Sequence, residues 1–111
     1  MATSPSLGKT FRAVFDKVIT YKGTLNLGSA AANDAADSFA SADVTVRGAA
    51  LGDFVLVSLG VDTVDTTVTA KVTAANTVTV TVHNGTTDAV DLASTTVYIA
   101  VLKPSASAFI A

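Results

Sequence analysis

Of the residue types that do chemistry, the chain offers one imidazole, His83, together with nine aspartates, no glutamate and no cysteine. A catalytic histidine needs a nucleophile to deprotonate, or a carboxylate to orient it, within hydrogen-bond reach. Asp88 and Asp91 follow His83 closely, but no G-x-S-x-G string brings a serine beside it. A lone histidine at the end of a strand-like run reads as an exposed polar residue, so no catalytic residue is expected. The chain does not read as an enzyme.

The pairs Asp62/Asp65 and Asp88/Asp91 could supply oxygens to a hard cation such as calcium. Their D-x-x-D spacing does not match an EF-hand loop. Both pairs also lie among turn residues, where aspartate shapes the backbone through its own side chain. No metal site is expected. Gly48, Gly52, Gly60 and Gly85 form neither G-x-G-x-x-G nor G-x-x-x-x-G-K-S/T, so they read as turn glycines and no cofactor is expected. Without cysteine, disulfide frameworks and thiolate metal sites are excluded.

The elements carrying these residues follow from composition and period. Of 111 residues, 17 are threonine and 16 valine, β-branched types whose stiff side chains suit strands. Half of the chain is apolar and only 14% charged, too hydrophobic for a disordered chain. No apolar run reaches the roughly 18 residues of a membrane-spanning helix, and no membrane partner is expected. Thr77–Val82 alternates through three period-two repeats, and Thr67–Val72 does so just before it, with Asn76 between them. This reads as an antiparallel hairpin. Further strands are expected at Thr24–Leu27, Ser38–Val46, Phe54–Val57 and Thr96–Val101. Residues 29–37 read as a loop, and Pro104 as the end of pairing.

Phe54–Val57 is apolar on both faces and reads as a central strand, its second face covered by an N-terminal arm or another subunit. Residues 11–19 fit either a short amphipathic helix or an edge strand. The fold class expected is all-β, an antiparallel β-sandwich or jelly-roll-like domain of about six to eight strands. It has an arm over residues 1–23, the sandwich over 24–104 and an apolar tail over 105–111.

Charge is uneven. Residues 1–22 carry Lys9, Arg12, Lys17 and Lys22 against Asp16 alone, whereas residues 23–111 carry three bases against eight aspartates. Four separated bases are far from the dense runs of nucleic-acid tails, so a nucleic-acid partner is not expected. No secretory signal pattern is visible near the first residue.

Three stretches taken in order resemble a family. They are Val44-Thr45-Val46-Arg47-Gly48-Ala49-Ala50-Leu51-Gly52-Asp53-Phe54-Val55, then Val72-Thr73-Ala74-Ala75-Asn76-Thr77-Val78-Thr79-Val80, then Val90-Asp91-Leu92-Ala93-Ser94-Thr95-Thr96-Val97 running into Val101-Leu102-Lys103-Pro104. Together they resemble small β-rich virion proteins of tailed bacteriophages, over residues 24–104. The resemblance implies a structural protein of the particle, a decoration (cement) protein or head fibre on the capsid exterior, commonly a trimer at three-fold or quasi-three-fold positions. It implies a major capsid protein and further copies of the chain as partners, and a virion location. It carries over no catalytic residue.

Two sets of contact residues are expected on that basis. Lys9, Phe11, Arg12, Phe15 and Lys17 would form a capsid-contact arm. Phe54, Leu56, Tyr98, Phe109 and Ile110 would form a subunit interface. The competing class is a tail or fibre component or a carbohydrate and cell-surface adhesion module, for which only Tyr21 and Tyr98 could stack on sugar beside a complete lack of tryptophan. A small hydrolase ranks last, for want of any motif.

Overall fold

In the computed structural model, residues 14–31 and 38–105 are described. They form eight strands: β1 (Phe15–Leu25), β2 (Ser29–Ala30), β3 (Phe39–Thr45), β4 (Phe54–Leu59), β5 (Thr66–Ala74), β6 (Thr77–Asn84), β7 (Val90–Asp91) and β8 (Thr95–Pro104). One three-stranded sheet has the order β1-β8-β4, a second β3-β6-β5, and a two-stranded sheet joins β2 to β7. Every pairing is antiparallel. The all-β antiparallel class is as expected.

The core lies between the two larger sheets, and valine fills it. Val78 and Val80 of β6 and Val97 and Val101 of β8 are fully buried, with Ile99 and Val82 nearly so. They come from the central strand of each sheet, where alternate side chains point the same way. The intervening Thr77, Thr79 and Thr81 take the other face of β6. The rows Val68-Ala70-Val72 and Ala42-Val44-Val46 both belong to the apolar cluster.

The hairpin forms as expected, with Ala74 opposite Thr77 and Asn76 at φ 60° in the turn. Asparagine tolerates this left-handed conformation better than most residues. The tip then locks onto the turn after β3. Asn76 donates its backbone N–H to Ala49 O, and its carbonyl accepts from Val46 N, both at 2.8 Å. Its side-chain Oδ1 accepts from Gly48 N, also at 2.8 Å. Gly48 at φ 93° and Gly52 at φ 98° supply the positive angles expected of them.

Three expectations are corrected. The boundary at residue 23 falls inside β1, which pairs with β8 from Phe15↔Pro104 to Leu25↔Thr95. Of the two forms fitted to residues 11–19, the edge strand is the one found from Phe15 on. It runs unbroken through the strand expected at Thr24 to end at Leu25, with residues 26 and 27 beyond it. Ile19, Tyr21, Gly23 and Leu25 make the inward row; a glycine and two lysines hid this period from a hydropathy reading. Second, β4 is not central. It flanks β8 at the sheet margin and lies beside β5 of the other sheet, so its outer row is not sandwiched. Third, Ser29–Ala30, within the expected loop, forms β2.

Asn84, just before the turn glycine Gly85, ends β6 and is fully buried. Its Nδ2 donates to Ala30 O, Ala31 O and Asp88 O at 2.8 to 3.0 Å. Its Oδ1 accepts from Thr86 N at 2.9 Å and Thr86 Oγ1 at 2.6 Å. One side chain thus pins the β2 and β7 region to the second sheet. Asn84→Ala strips donors from buried carbonyls and should cost about 3 kcal/mol. Asn84→Asp should cost more, because it points a carboxylate at carbonyl oxygens. Val80→Ala should cost about 2 kcal/mol, against less than about 0.5 for Thr81→Ala on the opposite face. Urea unfolding of the four variants measures each.

Candidate assembly surface

The outer face of the β1-β8-β4 sheet is apolar where an exposed face would ordinarily be polar. Register places its side chains in three rows. Val18, Leu102 and Phe54 make the first, Thr20, Ala100 and Leu56 the second, and Lys22, Tyr98 and Ser58 the third. Exposure is 43% at Val18, 48% at Phe54, 62% at Leu56 and 48% at Tyr98. The cause is the period of two. Val55, Val57 and Leu59 pack against the core, so Phe54 and Leu56 must take the other side.

Small Ala100 between larger neighbours leaves a groove of about 390 Å³, lined by Thr20, Lys22, Leu56, Ser58, Tyr98 and Ala100 among others. The Lys22 ammonium sits 5.7 Å from the Tyr98 ring centroid, within cation–π range. At the edge of the face Phe15 meets Phe54 edge-on, with centroids 5.7 Å apart and planes at 81°. The bulge between Phe15 and Lys17 occurs at this point.

Phe54, Leu56 and Tyr98, three of the five expected interface residues, therefore share one surface. Phe15, expected in a separate arm, joins them through Phe54. Lys17 is exposed and stands opposite Lys103, whose Nζ turns to Asp53 Oδ2 at 2.7 Å and Gly48 O at 2.8 Å. Asp53, its side chain nearly buried, also accepts from Ala50 N at 2.9 Å, so the pair ties the glycine turn to β8. Lys9, Phe11, Arg12, Phe109 and Ile110 lie outside the described residues.

The molecule is electrically polarised between its two ends. The starts of β1 and β4 and the end of β8 meet at one end, where Lys17, Arg47 and Lys103 outnumber Asp16 and Asp53. The loops at the opposite end carry Asp62, Asp65, Asp88 and Asp91 and, among the described residues, no lysine or arginine. Asp62 Oδ1 accepts from Val64 N at 2.9 Å, a local turn contact of the kind expected of these aspartates. Val64 itself stands at φ 56°, a strained angle for a β-branched residue that no sequence signal announced.

Among the described residues no three of His, Cys, Asp and Glu come together to hold a metal ion. His83 stacks on Phe39, with centroids 4.4 Å apart and planes at 22°, on the outer face of the other sheet. No helix among the described residues is long and apolar enough to cross a membrane. The chain matches no protein-family model, curated protein or solved structure with which it was compared.

The apolar face has a direct solution signature. The full chain should bind an apolar fluorescent dye, and Leu56→Asp should remove most of that signal. Because Leu56 is exposed, the same substitution should shift unfolding free energy by less than about 0.5 kcal/mol. Dye titration beside urea unfolding reads both quantities.

Proposed function

We propose that this chain is a structural component of a tailed-phage particle, decorating or cementing the capsid exterior as a homo-oligomer. The observation supporting this most is the apolar face of Val18, Phe54, Leu56 and Tyr98, continuous with Phe15 at the basic end. Monomers seldom carry large apolar side chains in such a group unless something covers them. The β-rich resemblance over residues 24–104 supplies the identity of the particle, and it implies a trimer. In this reading the end bearing Lys17 and Arg47 faces the shell and the aspartate-bearing end faces outward.

An adhesion module is the less favoured reading. Tyr98 would have to stack on sugar, and its ring already lies beside the Lys22 ammonium.

The test uses shells lacking this protein. Residues 15–22 form part of β1, so removing all of 1–22 would strip an edge strand from the sheet. Removing residues 1–13 spares it. The 1–13 truncation should keep its β-rich spectrum and self-association while its co-sedimentation with shells falls at least tenfold. Full binding by the truncated chain refutes the arm's role. Failure of the intact chain to bind any shell, together with its absence from purified virions, refutes the particle reading.

A further inference from the structure

Among the described residues, the first sheet ends in an open edge. Among the described residues β1 pairs only with β8, and at 11 residues it is the longest strand. Proteins usually blunt such edges with proline, bulges or outward lysines. Phe15–Leu25 contains no proline, and its single bulge lies at the Phe15/Lys17 end. Lys22, the natural gatekeeper of the remainder, directs its ammonium over Tyr98. The other margins differ: β4 lies beside β5, β5 carries its own bulge, and β3 has only seven residues.

We infer that the outer edge of β1 over residues 17–23 pairs antiparallel with the same segment of a second copy. Its sequence is self-complementary about Thr20. A two-fold axis there sets threonine opposite threonine, Ile19 opposite Tyr21, Val18 opposite Lys22 and Lys17 opposite Gly23. No lysine meets a lysine, and β-branched and aromatic side chains are favourable cross-strand partners. Matched parity also keeps both apolar faces on one side of a continuous six-stranded sheet.

Edge pairing and burial of the apolar face are complementary contacts, since neither alone reaches the size of a stable interface. Three strands about 4.8 Å apart, with outward rows spanning about 20 Å, present roughly 300 Å² of sheet. Stable interfaces bury about 800 Å² on each partner, so one such face is too small by itself. Joining two edges adds backbone hydrogen bonds and doubles the apolar face to roughly 600 Å². The inference is independent of the particle reading, and within a shell it would link neighbouring oligomers across local two-folds.

The lack of cysteine makes the contact directly testable. Single-cysteine chains Thr20→Cys, Ala100→Cys and Thr69→Cys are oxidised mildly and resolved by non-reducing gel. Edge pairing brings the two copies' position 20 within about 5 Å, inside disulfide range, and holds position 100 about 14 Å from its counterpart. Thr20→Cys should form linked dimers at least tenfold faster than the other two. A rate no greater than that of Thr69→Cys, on the outer face of the other sheet, overturns the inference. So does equally fast linking by Ala100→Cys, which reports face-to-face packing. In the cysteine-free chain, Thr20→Lys sets like charges together at the axis and should weaken association at least tenfold with its melting temperature retained. Unchanged association in that variant also overturns it.

Discussion

Everything in this molecule depends on two central strands facing each other through valine. Val78 and Val80 of β6 meet the space filled by Val97 and Val101 of β8, all four fully buried. Small, stiff side chains lose little rotamer entropy on burial, which suits a short chain with limited core volume. The same choice has a consequence on the outside. A strand cannot dedicate both rows to one core, so each inward valine row obliges an outward row on the same backbone. On β6 that row is threonine. On β4 and β8 it includes Phe54, Leu56 and Tyr98.

The two sheets therefore have opposite characters from one rule. Apart from Phe39 stacked on His83, the β3-β6-β5 sheet shows Thr69, Thr79, Thr81, Ser41 and Asp43 outward, with Thr79 Oγ1 donating to Asp43 Oδ1 at 2.7 Å. Water satisfies such a face. The β1-β8-β4 sheet shows apolar groups that gain about 25 cal/mol for each Å² removed from water. This asymmetry gives the molecule one apolar and one polar side, with most of its bases at one end and a row of aspartates at the other.

Sequence patterning revealed strands wherever alternation was uninterrupted. Thr77–Val82 and Thr67–Val72 were legible because threonine and valine alternate without a break, and Asn76 marked their turn. The margin was less legible: Phe15–Leu25 mixes lysine, glycine and aromatics, so its period emerges only when β8 supplies a partner. Phe54–Val57 was rightly seen as apolar on both faces, but hydropathy could not distinguish a sandwiched strand from a marginal one with an exposed face. The role of Asn84 was hidden for a related reason. Asn-Gly favours turns locally, and only the tertiary positions of Ala30 and Asp88 turn that amide into a buried hub. The exposed apolar residues were legible as large side chains in a chain of small ones; their gathering on one face needed the register.

The central claim is that the exposed apolar sheet is a contact surface and not merely an outer wall. Sedimentation velocity of the intact 11.1 kDa chain from micromolar to hundreds of micromolar tests it most directly. The account predicts that the sedimenting mass rises above that of a single chain as concentration increases. A species of 11.1 kDa at every concentration would contradict it.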